Sequence, residues 1–159
     1  MTNIRENLRT IGANITEQIS RYNHPPNSVQ LLAVSKRHPS DFIREAYEFG
    51  QRAFGENYAQ ELLEKSLELN DLDIDWHFIG PLQSNKAKKI SEVANWVHTV
   101  DRLKIAQKLN DYRPESMPAL SICLQVNISN EENKSGITPH ELLPPVSYTH
   151  LTLPTKRIV

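Results

Sequence analysis

The sequence predicts an α/β fold built on a parallel sheet, and three observations support this prediction. Short apolar runs of strand length alternate five times with segments of helical period, and the connections between them are short. Strands that alternate with helices form right-handed βαβ units, which assemble into a parallel sheet. No G-x-G-x-x-G pattern follows the first strand, which weakens a dinucleotide-binding fold. An open doubly wound sheet and a (β/α) barrel both fit this pattern.

The first two elements are predicted from the spacing of their apolar residues. The first segment carries one apolar stripe with steps of three or four residues, which is typical of an amphipathic helix: Ile4, Leu8, Ile11, Ile15, Ile19. Residues 23–27 contain two prolines and end this helix. Residues 29–35 are mostly apolar and too few for a core helix, so they predict a strand that is buried on both faces.

A second helix is predicted to begin near residue 40. Ser40 is the candidate N-cap, and Gly50 is placed to end the helix. Phe42, Ala46 and Phe49 are expected to share its buried face.

The alternation continues to residue 128. Four further apolar runs bounded by turn residues predict strands at residues 52–55, 75–79, 96–100 and 120–128. Three helices are expected between them: a leucine-rich helix that follows Asn57, then helices at 85–93 and 102–109. Ser84 and Asp101 are the predicted N-caps of the last two helices.

The pattern changes after Gly136. Thr138 and Pro139 form a good helix start, but Pro144 and Pro145 end that helix within about one turn, because a proline inside a helix costs about 3 kcal/mol. Residues 144–159 show neither helical period nor strand alternation. We therefore expect one domain at residues 1–143 and a non-native or disordered tail at 144–159.

Composition narrows the classes of function. A formal net charge of −1 gives no field that would recruit nucleic acid or an anionic membrane. No apolar run has the length of a signal peptide or a transmembrane helix, and Cys123 has no partner for a disulfide. These features predict a cytoplasmic protein. The six histidines show no metal-ligand spacing, so no metal site is expected.

Lys36 is the sharpest candidate for chemistry, because it directly follows the first predicted strand. The carboxyl ends of parallel strands are where α/β folds collect ligands. A lysine that is partly desolvated there, with Arg37 beside it, loses its proton more easily and can form a Schiff base with an aldehyde. The alternative is that Lys36 simply extends into solvent.

Three other residues in or directly after the predicted strands are candidates for ligand binding. Asn57 follows the second strand, where it could orient a ring hydroxyl or carbonyl or could cap the next helix. His77 lies in the third strand and His98 in the fourth, and each could be a core residue or a functional one.

Five motifs occur together and in order: LLAVSK at 31–36, FGENYAQE at 54–61, WHFIGPLQSNK at 76–86, HTVDR at 98–102 and QVNISNEENKSGI at 125–137. Together they closely resemble the YggS/PROSC family of pyridoxal phosphate homeostasis proteins, which is related to the N-terminal barrel of alanine racemase. The resemblance covers about residues 1–143. It implies a fold-type III (β/α)8 barrel that holds pyridoxal 5'-phosphate as a Schiff base on Lys36. It also implies that Asn57 lies against the pyridoxal ring and that the His77 segment walls the pocket.

The resemblance further implies a carrier of the cofactor rather than a catalyst, with pyridoxal-phosphate-dependent enzymes as client partners. Two alternatives stay open, a racemase-like enzyme that uses Lys36 as a base and an inert fragment. A barrel of this type needs about 200 residues, and five of its eight strands are predicted here. The family's phosphate-binding elements lie on later strands. We therefore expect the 159-residue chain to be poorly soluble and to bind the cofactor weakly or not at all.

Overall fold

The computed structural model of the chain describes residues 3–129, 131 and 134–141. Helices and strands alternate throughout, in the order α1 (Ile4–Arg21), β1 (Ala33–Val34), α2 (Ser40–Glu48), β2 (Ala53–Glu56), α3 (Ala59–Glu68), β3 (Asp75–Phe78), α4 (Ala87–Ser91), β4 (Trp96–Val100), α5 (Leu103–Tyr112) and β5 (Ser121–Leu124). A 3-10 turn at Pro139–Glu141 follows. No helix in these residues is long and apolar enough to cross a membrane.

The order of the strands decides between the two closures that the sequence leaves open. All four pairings are parallel, and the strands lie side by side in chain order from β1 to β5. Each right-handed crossover therefore moves one strand further in the same direction, which keeps the helices on one face of the sheet. A doubly wound sheet would reverse direction at its switch point. The fold is thus a five-stranded arc of a (β/α) barrel, as the family resemblance predicts.

The core lies between the outer face of this arc and the helices. The strand residues that point towards the helices lie next to each other on neighbouring strands. Phe54 is the register partner of Trp76, and Phe78 is the partner of Val97. They pack in one cluster with buried residues of the helices: Ile43, Ala46, Leu62, Ala87, Ile90, Ile105, Ala106, Leu109. Burial of this apolar surface is the main favourable contribution to folding.

The inner face carries a different row of side chains. Val34, Gly55, His77 and Trp96 are matched across four neighbouring strands. Successive residues of a strand alternate between the two faces, so this row lies opposite the helices. The next inner-face row, two residues further on, belongs to the carboxyl ends of the strands.

The first strand is shorter and more open than its sequence predicts. Only Ala33–Val34 pairs as a strand, whereas residues 29–35 were expected to do so. Val34 is 49% exposed, so the expectation of burial on both faces is wrong. The reason is that β1 is an edge strand among the described residues, with β2 as its one neighbour.

The second helix begins at Ser40, so the prediction that Ser40 is its N-cap is wrong, and the helix turns a different face inward. Pro39 occupies the N-cap position without a side-chain cap bond, and Ser40 is the first helical residue, whose hydroxyl donates to Glu68. Phe42 and Phe49 are exposed, while two residues three apart are buried, Ile43 and Ala46. Gly50 ends the helix with φ +91°, a conformation that glycine adopts without strain.

Three other predicted boundaries shift. α4 covers Ala87–Ser91 rather than 85–93, and its N-cap position is Lys86, so Ser84 does not cap it. Arg102 takes the N-cap position of α5, and the carboxylate of Asp101 accepts from the Arg102 guanidinium instead. β5 ends at Leu124 and not at residue 128. The predicted tail at 144–159 lies outside the described residues.

Two leucines of α3 provide a matched test of this packing. Leu62 has no exposed surface and Leu67 is 72% exposed. Leu62→Ala leaves a cavity, and we expect it to lower the free energy of unfolding by about 2–5 kcal/mol. Leu67→Ala removes the same atoms from the surface, and we expect a change within about 0.5 kcal/mol. Urea unfolding followed by circular dichroism measures both, and equal losses would contradict the packing.

Candidate functional site

Lys36 lies in the turn that follows β1, at the carboxyl edge of the sheet. Its side chain is exposed and makes no hydrogen bond or ion pair with the residues that the structure describes. Two residues on from the Val34–Gly55 pair, Lys36 is level with Asn57. The sequence predicts that the Lys36 amine is partly desolvated, but the described residues leave its side chain exposed. What they supply is a fixed backbone on both sides of Lys36.

The residue before Lys36 is held by a buried charged cluster. The Ser35 hydroxyl donates to Glu56 Oε1 at 2.7 Å, and the Ser35 carbonyl accepts from Lys65 Nζ at 2.9 Å. Lys65 Nζ also donates to Glu56 Oε1 at 2.7 Å and to Glu61 Oε2 at 2.9 Å. We call these four residues the Lys65 network. It ties α3 to the ends of β1 and β2.

The residue after Lys36 is held by the same network. The backbone N–H of Arg37 donates to Glu61 Oε2 at 2.8 Å, and its guanidinium donates to the Tyr58 hydroxyl at 3.4 Å. Arg37 has φ +62°, which is in the left-handed region. A non-glycine residue there costs on the order of 1–3 kcal/mol, which surrounding contacts must offset. Glu61 provides such a contact.

The two carboxylates of the Lys65 network differ in their environment. Burial raises the pKa of the Glu56 carboxyl, and the hydrogen bonds from Lys65 and Ser35 oppose this rise. Glu56 Oε2 is buried and has no hydrogen-bond partner among the described residues. Burial also acts to raise the pKa of Glu61, but the bonds from Arg37 and Lys65 outweigh it and hold that pKa below its ordinary value.

Asn57 sits one residue past β2 and has its backbone locked against the neighbouring strand. A Cβ atom on Gly80 would lie 1.8 Å from the Asn57 carbonyl oxygen, so a side chain at position 80 does not fit. The Gly80 carbonyl in turn accepts from the Thr99 hydroxyl. The Asn57 side chain has no hydrogen-bond partner in the described part of the chain, and it does not cap α3. Its amide is therefore available to a ligand.

His77 lies one row deeper, on the inner face. Its Nδ1 is 2.8 Å from His98 Nε2, its Nε2 is 3.1 Å from Asp75 Oδ2, and its ring stacks on Trp96 with centroids 5.7 Å apart. A carboxylate can only accept, so His77 Nε2 carries the hydrogen and, in the neutral ring, Nδ1 accepts from His98. Burial lowers the pKa of both histidines, although Asp75 opposes this.

The structure thus brings two of the three predicted residues to the same row. Lys36 and Asn57 end neighbouring strands, whereas His77 lies one row below them and is bonded to Asp75 and His98. No three or more His, Cys, Asp or Glu side chains among the described residues are arranged for a metal ion.

Sequence reasoning missed Lys65, although two signals were present. Lys65 falls three residues after Leu62 and four before Leu69, on the buried stripe of α3. Glu61 precedes it by four residues, which is the favourable order for a helical ion pair.

Comparisons with known proteins agree with this fold. The family model of the alanine racemase N-terminal domain matches residues 6–152. The pyridoxal phosphate homeostasis protein of Pseudomonas aeruginosa is 49% identical over 158 residues, which is 99% of this chain and 68% of that protein. The chain therefore spans about two thirds of that relative's length.

Solved structures agree. PipY of Synechococcus elongatus, in a structure with pyridoxal phosphate bound, is 43% identical with a TM-score of 0.74, over 91% of this chain and 64% of that one. Alanine racemase from Enterococcus faecalis is 17% identical with a TM-score of 0.63, over 94% of this chain and 38% of that one, and it shows the fold alone. The chain belongs to the alanine racemase N-terminal domain family and, within it, to the pyridoxal phosphate homeostasis proteins.

Proposed function

We propose that the chain carries the lysine end of a pyridoxal 5'-phosphate site and serves in cofactor homeostasis, with Lys36 as the attachment residue. The observation that carries this proposal is an exposed primary amine at the carboxyl edge of a parallel sheet, with its backbone fixed on both sides. The printed name of the Pseudomonas relative and the cofactor in PipY support the choice of ligand.

The residues at this edge fit the aldehyde end of the cofactor. When bound, the cofactor supplies an aldehyde carbon next to an electron-withdrawing ring. The Lys36 amine has no hydrogen-bond or ion-pair partner among the described residues, so none of their contacts has to break before it reacts with the aldehyde. The Asn57 amide can donate to or accept from a ring substituent. His77 lies one row below and is bonded to His98, and the lowered pKa of both histidines favours their neutral rings.

The proposed role is that of a carrier and not of a catalyst. Racemisation at Cα needs a base on each side of the substrate carbon. Among the described residues Lys36 is the lysine that lies within two residues of a strand's carboxyl end, and the histidine pair is occupied with itself and with Asp75. Pyridoxal-phosphate-dependent enzymes are the proposed recipients of the cofactor.

Borohydride trapping tests the attachment residue. We expect borohydride reduction in the presence of millimolar pyridoxal phosphate to leave a phosphopyridoxyl group on Lys36, located by peptide mass mapping. Lys36→Ala should abolish this adduct, and Lys36→Arg should do the same because a guanidinium stays protonated. Lys104→Ala is the matched control, since Lys104 is an exposed lysine of α5. Labelling spread evenly over the exposed lysines would contradict the proposal.

Isotope exchange tests the carrier role. We expect the cofactor-loaded chain not to accelerate the exchange of the Cα hydrogen of D- or L-alanine for deuterium beyond free pyridoxal phosphate. Proton NMR in deuterated water gives the rate. Exchange that is accelerated in the wild type and lost in Lys36→Ala would instead favour the racemase-like alternative.

The histidine pair predicts a pH-dependent stability. Both rings titrate near pH 6.5 when unfolded, and burial lowers both values in the fold. As pH falls below 6.5 the unfolded chain binds protons first, so stability is full above this value and is lost on acidification. We expect His77→Gln to lose less stability than the wild type between about pH 7.5 and pH 5.5, by urea unfolding. Equal losses would contradict a buried neutral His77.

A further inference from the structure

We infer that Lys65, with Glu56 and Glu61, is a positioning group that holds the backbone on both sides of Lys36 so that its amine stays at the carboxyl edge. The consequence for reactivity rests on the proposed function of Lys36. The fixed backbone at residues 35–37 is independent of that function, because it follows from contacts within the chain.

All three N–H donors of the Lys65 ammonium take part in hydrogen bonds. Lys65 is 6% exposed, and its Nζ atom donates to the Ser35 carbonyl, to Glu56 and to Glu61 at 2.7–2.9 Å. An ammonium has three donors and no acceptor, so it can make no further hydrogen bond of this kind. One of these hydrogen bonds is to the main-chain carbonyl of Ser35, the residue before Lys36.

The network acts on both residues that flank Lys36. Ser35 is bonded through its carbonyl to Lys65 and through its hydroxyl to Glu56. Arg37 is bonded through its backbone N–H to Glu61, in a left-handed conformation that a non-glycine residue adopts only where contacts hold it. Lys36 itself has no bond to the described residues, so these two neighbours determine where it lies.

Stability alone does not account for such a network. The desolvation of a buried ion pair offsets most of its Coulomb attraction, and well-packed apolar residues often replace it without loss. Glu56 moreover leaves its second oxygen buried and unpartnered among the described residues. The specific result of the arrangement is the geometry of residues 35–37.

Two variants separate positioning from stability. Lys65→Met alone would leave the Glu56 carboxylate buried without its cation, so the double variant Lys65→Met/Glu56→Gln removes both charges together. Glu61→Ala removes the bond to Arg37 from a side chain that is partly exposed, and it is therefore expected to fold. Two quantities are measured: hydrogen exchange of the Arg37 amide, and the rate at which Lys36 is trapped by pyridoxal and cyanoborohydride.

Pyridoxal is the probe because it lacks the phosphate, so the rate reports on Lys36 alone. The amine condenses with the aldehyde, water leaves, and hydride from cyanoborohydride reduces the C=N bond. Labelling of Lys104 in the same sample gives the reference rate. Arg113→Met is the matched control, because Arg113 also binds main-chain carbonyls, those of Ser91 and Ala94, away from this edge.

We expect faster exchange at Arg37 in Glu61→Ala, which removes the acceptor of that amide, and about tenfold slower trapping of Lys36 in both variants, relative to Lys104. In Arg113→Met both quantities should match the wild type even if the protein is less stable. Wild-type exchange at Arg37 in Glu61→Ala, or wild-type trapping of Lys36 in the double variant, would overturn the positioning role, and so would slowed trapping in Arg113→Met. A wild type that labels Lys36 no faster than Lys104 contradicts the proposed function instead, and exchange at Arg37 then still decides the positioning role.

Discussion

Parallel pairing in chain order is the constraint on which the rest of this structure depends. Because every strand is matched to the next in the same direction, the carboxyl ends of β1 to β5 reach one edge. The pairing also fixes which side chains share a row, and Val34, Gly55, His77 and Trp96 form one such row. A shift of one residue in any pair would turn a whole strand's side chains to the other face. The candidate site exists because this register places Lys36 level with Asn57.

The same alternation separates two kinds of polar groups at the strand ends. On the helix side Glu56 is buried, and the cost of desolvating its charge is offset by Lys65 and Ser35. On the inner side the histidines are joined in a chain that ends on Asp75, and burial lowers the pKa of both. On the helix side the buried carboxylate of Glu56 is thus paired with a cation from α3. On the inner face the lowered pKa values of His77 and His98 favour their neutral rings.

Much of this fold was predictable from the sequence, because apolar period and turn residues are local signals. The strands of Phe54, His77 and Val97 lie where their apolar runs predict them. The N-caps predicted at Ser84 and Asp101 are wrong, because the N-cap positions fall on Lys86 and Arg102, and the Asp101 carboxylate accepts from the adjacent Arg102 guanidinium instead. At the site, the motif residues were predictable by position. Their support was not, because Lys65 acts on Ser35 from 30 residues away and only the folded chain brings the two together.

A side chain that reacts with a ligand cannot also serve as its own anchor. Any ion pair on the Lys36 amine would have to break before the amine could attack an aldehyde. The strand solves this by alternation, since Ser35 and Lys36 leave the backbone on opposite sides. Ser35 can therefore be bonded to buried groups on the helix side while the lysine beside it stays uncommitted. Arg37 completes the arrangement from the other direction through Glu61. The hydrogen bonds that fix the main chain are thus made by Ser35 and Arg37 and not by Lys36. They hold the backbone and leave the Lys36 amine without a partner among the described residues.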